Sequence, residues 1–374
     1  MNSLGLYIHI PWCIQKCPYC DFNSHALKDD APEKRYIDAL LADLKQDLNL
    51  LNSPRQVISI FIGGGTPSIF SAASFERLFT EIAKLIPLQE NLEITLEANP
   101  GTFESLKFSE YRAIGINRLS IGIQSFNNKH LKKLGRIHSA EEAITAVKIA
   151  QQAGFKNLNL DLMFGLPDQT NAEMLSDVQT AINLNPSHIS FYQLTLEPNT
   201  YFHKFPPQLP EDDQIYNGQR QCQQLLAESG YAQYAISAYA KNDKSCQHNR
   251  NYWAFGDYLG IGAGAHGKLS LSQPEEIIRT VKLKSPEQYL ENTSATVTTI
   301  PTKELPLEFV MNHLRLKPGF TLAHYNTVTG LDKSTLEPAL SHCVTEGLLQ
   351  QDNDHYACSE KGWMFLDSIL EKFM

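Results

Sequence analysis

Up to residue 200 the chain alternates short β-branched runs with longer amphipathic stretches, and this alternation limits the folds open to it more than any other feature. Leu6–Ile10, Val57–Ile62, Leu92–Leu96, Asn117–Ile121, Asn157–Met163 and Ser187–Leu194 read as six strands. Helical patterns lie between them. In Glu33–Leu51 the residues Ile37, Leu40, Leu41, Leu44, Leu48 and Leu51 share one face. Ser74–Leu85, Ser105–Ala113, Glu141–Ala153 and Glu173–Leu184 follow, the last two opened by capping boxes, Ser139 with Glu142 and Thr170 with Glu173. Strands that alternate with helices imply parallel βα units joined by right-handed crossovers. Six units fall short of the eight that close a barrel, so the expected fold is α/β, a partial (β/α)6 barrel of the TIM type.

The barrel is expected over residues 1–235, where it includes a longer helix at Asp212–Ser229 and enters the strand-like Tyr231–Ala240. A connecting segment, 236–300, holds a Gly- and aromatic-rich stretch (Tyr252–Gly267) and a polar run (Ser285–Pro301). Residues 301–374 read as a small winged-helix-like α+β domain. It comprises helices at Glu304–Leu316 and Thr335–Glu346, a hairpin at Gly347–Cys358 turning at Asn353-Asp354, and a last helix from Glu360.

Charge and cysteine usage narrow the function. The 374 residues carry 32 Lys+Arg against 41 Asp+Glu, a net charge of −9, which argues against sequence-nonspecific nucleic-acid binding. No apolar run approaches the roughly eighteen residues of a transmembrane helix, and the N-terminus has neither a basic region nor a cleavage site. A cytoplasmic protein is expected. Seven cysteines, an odd number, do not make a secreted disulfide framework. Cys222, Cys246, Cys343 and Cys358 are scattered and read as small buried hydrophobes. Cys13, Cys17 and Cys20 are crowded together as C-x3-C-x2-C.

Three thiolates at that spacing suit two centres. Zinc would take His9 or His25 as a fourth ligand. A 4Fe-4S cubane would be held on three irons, leaving the fourth open to a substrate or cosubstrate. Because the loop follows the first strand, it stands at the C-terminal mouth, where barrel sites form. Other strand ends are also marked. Gly63-Gly64-Gly65-Thr66-Pro67 follows the second strand and would let backbone approach a ligand closely, though a tight turn needs the same glycines. Glu97 ends the third strand, Gln124 follows the fourth, Arg136 lies in Leu134-Gly135-Arg136, and Asp161 ends the fifth. Polar residues converging from successive strand ends mark a candidate site.

A C-x3-C-x2-C loop directly after the first strand of a partial barrel resembles the radical S-adenosylmethionine (SAM) superfamily. That resemblance implies an open iron chelated by the amino and carboxylate groups of SAM. It also implies one-electron reduction of the sulfonium, releasing a 5′-deoxyadenosyl radical. The likeness narrows further. Tyr7–Cys13, Gly63–Pro67, Glu97–Pro100, Gln124-Ser125-Phe126, Leu134–His138 and Asp161–Pro167 resemble the oxygen-independent coproporphyrinogen III oxidase family, and the C-terminal module resembles that family's C-terminal domain. By position, Cys13, Cys17 and Cys20 would then hold the 4Fe-4S cluster. Tyr7, Gly64, Gly65, Thr66, Glu97, Gln124, Arg136 and Asp161 would contact SAM, and Tyr19 as well.

Two departures point to one branch of that family. Phe22 stands where the oxidases carry a further cysteine, two places beyond Cys20, and six residues precede Tyr7 where they carry a long extension. Both departures resemble the HemW-like heme chaperones, as does the H-N-x-x-Y-W segment His248-Asn249-Arg250-Asn251-Tyr252-Trp253. This resemblance implies heme as cargo. His248 is the first candidate axial ligand and Cys246 the second; Tyr252 and Trp253 offer flat apolar surface; His266 is a further candidate at the same mouth. The expected function is to bind heme and, with a SAM-chelated 4Fe-4S cluster, deliver it to hemoproteins, those of the respiratory chain first among them. The alternatives are the oxidase activity itself, or a heme-modifying radical SAM methyltransferase. A homodimer, and peripheral contact with membrane hemoproteins, are compatible with this reading.

Overall fold

A computed structural model describes residues 2–27, 29–101, 105–272 and 275–374. Six parallel strands form where the alternation places them: β1 (Asn2–Ile10), β2 (Arg55–Gly64), β3 (Leu88–Ala98), β4 (Arg118–Gln124), β5 (Asn157–Phe164) and β6 (His188–Gln193). The helices α1 (Glu33–Leu48), α2 (Ala72–Leu85), α3 (Phe108–Ala113), α4 (Ala140–Gln152) and α5 (Asn171–Asn183) connect them. Both capping boxes form, Ser139 with Glu142 and Thr170 with Glu173, each satisfying orphan donors of a first turn.

Each strand is two-faced. Leu4, Leu6, Ile8 and Ile10 of β1 are fully buried in the main core, as are Leu119, Ile121 and Ile123 of β4 and Leu160 and Leu162 of β5. The intervening positions are polar or aromatic: Tyr7 and His9, Glu93 and Glu97, Arg118 and Ser120, Asn159 and Asp161, His188 and Tyr192. Hydrogen bonds between strands show that these side chains share the other face. Ser120 donates to Asp161 at 3.0 Å, Asn159 to Ser120 at 2.7 Å, and Tyr192 to Gln124 at 2.7 Å. The apolar face is therefore covered by helices and the polar face lines the lumen, a period-two pattern read from inside the barrel.

Residues 236–300 do more than connect. The helix α6 (Asp212–Glu228) leads to β7 (Ala232–Ala235) and β8 (Ala238–Ala240), which extend the sheet antiparallel beyond β6. After α7 (Gln247–Trp253), the strand β9 (Tyr258–Ile261) returns to pair in parallel with β1 on its free side. The antiparallel strands β10 (His266–Ser272), β11 (Glu275–Val281) and β12 (Thr296–Thr299) continue outward. The twelve-stranded order is β12-β11-β10-β9-β1-β2-β3-β4-β5-β6-β8-β7, open at both edges, so the barrel is partial.

Buried charge fixes this extension to the barrel. Asp257 pairs with Arg55 at 3.0 Å and with Lys268 at 2.9 Å, all three being buried. Lys282, also buried, lies between Asp43 and Asp47 of α1. Charges placed this deep persist only because each has its counterion.

The C-terminal module packs α8 (Leu305–His313) and further short helices against a three-stranded sheet of β13 (Phe320–Thr321), β14 (Leu349–Asp352) and β15 (His355–Cys358). Its core is separate, with Phe309, Tyr325, Leu340, Tyr356 and Ile369 at the centre. The helix expected over Thr335–Glu346 is broken into a 3₁₀ turn, Lys333–Leu336, and a helix, Ala339–Thr345. Pro338 stands at the break, where its ring and missing N–H rule out a helix interior. Among the described residues no helix is long and apolar enough to cross a membrane.

Candidate functional site

The loop after β1 is clasped at several points. Trp12–Cys13 pairs with His25–Ala26 in a two-residue ladder, and the Leu27 amide donates to the Cys13 carbonyl at 2.9 Å. Asn23 ties the far side to the strand extension, its side-chain amide donating to the Ala263 and Lys284 carbonyls at 2.9 Å each. Pro18 lies against Gly135, and the Phe202 amide reaches the Pro18 carbonyl at 3.0 Å. Three reduced thiols are thus held on a rigid turn, with Cys13 buried and Cys17 and Cys20 half-buried. Burial raises the pKa of Cys13 and Cys20, and the neighbouring thiols raise both further. Among the described residues no three His, Cys, Asp or Glu side chains converge as ligands of a single metal ion would. The three thiols are close enough to act on one another electrostatically, which suits a multi-iron cluster.

One cation is already aimed at the thiols. Arg136 Nη1 stands 3.6 Å from Cys17 Sγ, while Nη2 donates to Asn99 Oδ1 at 2.7 Å and to the Gly122 carbonyl at 2.8 Å. Its Nε is buried without a partner. A guanidinium with an uncommitted donor beside deprotonated thiolates offsets part of the negative charge that iron ligation brings. The residues present therefore fit a thiolate-held cluster.

Beside the loop, the lumen opens as a cavity of about 550 Å³. Tyr7, Gly64, Glu97 and Cys20 share its walls with Tyr252 and Tyr258. Exposed His266 and exposed Phe22 stand at the same cavity. Tyr7 and His9 are linked, hydroxyl to Nδ1, at 2.9 Å. Glu97 accepts the Gly64 amide at 3.2 Å. Burial, and then the nearby Asp161, push the Glu97 carboxyl up to about 8. Tyr19, Gln124, Arg136 and Asp161 do not line this cavity. Gln124, with φ of 71° at the end of β4, holds the Tyr192 hydroxyl, and Tyr19 packs on Phe202. A non-glycine residue in the left-handed region at a strand end marks a place where geometry has been favoured over backbone comfort.

Two glycines are required by the protein itself. A Cβ on Gly64, whose φ is +111°, would stand 2.6 Å from the His9 ring, and one on Gly65 would stand 2.4 Å from the Trp12 carbonyl oxygen. Thr66 is buried, and its hydroxyl accepts from Asn99 at 3.0 Å. Gly65 and Thr66 thus build the turn, and neither lines the cavity.

The H-N-x-x-Y-W segment forms α7. Glu93 of β3 caps its start, accepting from the Gln247 amide at 2.9 Å and from Cys246 Sγ at 3.6 Å. His248 is 1% exposed. Its Nδ1 lies 2.9 Å from the Ser59 hydroxyl, its ring packs on Phe61, and Nε2 has no partner. Burial, and then Arg118, lower its pKa to about 3, so the ring is neutral. Cys246 is wholly buried, its thiol pushed up to about 12 by burial first. Neither His248 nor Cys246 lines the cavity, whereas Tyr252 does, and Trp253 is half-buried on the outer side of the helix. Reading strand ends alone missed the lumen residues Arg118, Asn159, His188 and Tyr192. Their signal is the polar phase of the same period-two pattern that marks the strands.

Residues 7–181 match the radical SAM superfamily, and residues 300–365 match the HemN C-terminal domain. The chain is 50% identical over 378 residues to the heme chaperone HemW of Haemophilus influenzae, covering 100% of this chain and 98% of that protein. It is 47% identical to the heme chaperone HemW of Escherichia coli, with 100% and 99% covered. A bovine relative, radical S-adenosyl methionine domain-containing protein 1, mitochondrial, is 32% identical, with 98% and 86% covered. Among solved structures, coproporphyrinogen III oxidase (HemN) of Escherichia coli, a radical SAM enzyme, shares the fold with a TM-score of 0.83 at 23% identity, covering 100% of this chain and 90% of that one.

Proposed function

Because this chain belongs to the HemW family of radical SAM proteins, we propose that it is a heme chaperone: it binds heme and delivers it to hemoproteins, those of the respiratory chain first. The observation that carries this reading is full-length kinship with heme chaperones, together with an H-N-x-x-Y-W helix whose Tyr252 lines the cavity beside the cysteine loop. Cys13, Cys17 and Cys20 would hold a 4Fe-4S cluster, which supplies one-electron chemistry and an open coordination position. SAM would lie in the adjoining cavity, contacted by Tyr7, Gly64 and Glu97 on the wall and by Gln124, Arg136, Asp161 and Tyr19 beside it. Gly65 and Thr66 would act through the turn they build. Arg136 would steady the thiolates, and Glu97 would meet the cationic part of SAM. Tyr252 and Trp253 would present aromatic surface to the porphyrin. Seven free thiols, three of which would hold iron, support a reducing, cytoplasmic setting.

The test uses anaerobically reconstituted protein. Hemin titration should give a saturable change in the heme absorption band. Incubation with SAM, a reductant and coproporphyrinogen III should give no sustained formation of protoporphyrinogen. Multiple turnovers without heme binding would overturn the reading in favour of the oxidase.

A further inference from the structure

A second recess opens on the outer side of α7. This groove of about 360 Å³ lies between the barrel extension and the C-terminal module, lined by Tyr252, Trp253, Tyr258, Arg279, Met311 and Arg315 among others. Tyr252 and Tyr258 also wall the cluster cavity, and their rings meet edge to face at 4.2 Å. These two tyrosines therefore form a partition with the cluster cavity on one side and the groove on the other. α7 and α8 pack together across the groove, so its walls come from two separate cores. Ligand recesses favour such junctions.

We propose that this groove is the heme site, with the macrocycle against Trp253 and the tyrosine partition, Met311 as axial ligand, and Arg315 on the propionates. The proposal rests on the heme-chaperone reading and specifies where the cargo sits.

Charge complementarity selects this occupant. Heme is a flat apolar disc with two carboxylates on one edge. Arg315 is exposed and has no acidic partner among the described residues. Arg279 pairs with Glu308 and reaches the Tyr258 hydroxyl at 3.5 Å, so its fork is held at the groove wall. Lys268, a third cation there, is committed to Asp257 at 2.9 Å and lies under the Phe255 ring. Arginine is the cation suited to bidentate carboxylate recognition.

The iron-ligating groups point the same way. Neither histidine nor cysteine lines the groove. Met311 projects from α8 with 37% of its surface exposed, and thioether sulfur is an established axial ligand of heme iron. The competing oxygens, Tyr252 and Tyr258, are driven away from tyrosinate because burial raises their pKa. His248 then has a different task. It sits one helical turn before Tyr252, its ring edge-on to that tyrosine at 4.7 Å and anchored to Ser59. It is a positioning residue, fixing the partition on which the porphyrin rests. A shallow groove leaves one face of the heme in solvent, as release to an acceptor requires.

The experiment is hemin titration of the full-length, cluster-loaded protein, read by the Soret band. Wild type is compared with Met311→Leu, Arg315→Glu and His248→Gln, with far-UV circular dichroism checking each fold. Hemin dimethyl ester serves as a probe without propionate charge. Met311→Leu should shift the Soret band, because the ligand set changes. Arg315→Glu should weaken hemin binding by about tenfold or more and leave binding of the ester unchanged. His248→Gln should weaken binding without altering the wild-type ligation spectrum. If wild type binds hemin but neither Met311→Leu nor Arg315→Glu changes the titration, the groove assignment is wrong and the heme reading survives. If only His248→Gln changes the ligation spectrum, the histidine is the ligand and the proposal falls. If wild type binds no hemin, both fall.

Discussion

Glu97 offers a quantitative test of the SAM pocket. Its carboxyl is pushed up to about 8 by burial and then by Asp161, so in the ligand-free protein at neutral pH it is mostly protonated. If it meets the cationic part of SAM, it must lose that proton on binding, and affinity then rises with pH below the pKa. Ionised fractions of about 1% at pH 6 and about 50% at pH 8 give roughly a 50-fold gain, near 2.3 kcal/mol, with the curve flattening above pH 8. Negative charge on a loaded cluster moves the midpoint upward, never downward. Glu97→Gln keeps the shape and fixes the neutral state. The variant should stay flat across this range, at or below the wild-type affinity at pH 6, and fall behind it progressively towards pH 8. SAM affinity measured by calorimetry on cluster-loaded protein gives both profiles, and their difference cancels any titration of SAM itself. The sign for folding is opposite. A pKa raised above the unfolded 4.5 makes the ligand-free fold lose stability as pH climbs from about 4.5 to 8, and the Gln variant should lack that slope. Parallel SAM profiles for the two proteins across pH 6–8 would refute the assignment of Glu97 to the SAM site.

Three further outcomes follow from the geometry. Cys13→Ala, Cys17→Ala and Cys20→Ala should each lose the roughly four irons and the thiolate-to-iron absorption gained on anaerobic reconstitution, whereas Cys222→Ala and Cys343→Ala, whose residues lie in apolar cores, should retain them. Gly65→Val should destabilise the fold by about 1–3 kcal/mol or more, read as a lowered urea midpoint, because its Cβ would meet the Trp12 backbone at 2.4 Å; an unchanged midpoint would mean the turn is looser than described. Asp257→Asn should destabilise by about 3–5 kcal/mol in chemical denaturation, since it leaves buried Arg55 and Lys268 without their counterion.

Much of this architecture is written locally. Ser139 and Thr170 announce their helices by capping chemistry that needs only four residues, and Leu6–Ile10 announces a strand by its β-type pattern. The cluster loop is legible because three thiols within eight residues have few structural uses. What is not legible is non-local. β9 pairs with β1 across more than 250 residues of chain, and nothing in Tyr258–Ile261 names its partner. Polar lumen positions such as Arg118 and Asn159 look like solvent-facing residues until the strands close around them. His248 shows the sharper limit. A histidine beside Tyr and Trp suggests an iron ligand, and only the tertiary structure sets it under Tyr252 against Ser59. The groove beyond it draws Met311 and Arg315 from another module, which no motif spacing reveals.

Delivery of heme is the central claim, and transfer measures it directly. Hemin-loaded protein, freed of excess hemin, is mixed anaerobically with an apo-hemoprotein acceptor whose holo spectrum is distinct, with and without SAM. The expected result is growth of the acceptor's holo spectrum matched by loss of the donor's heme band, at a rate above that from hemin bound to serum albumin. Heme that stays on the donor, or reaches the acceptor no faster than from albumin, would contradict the account.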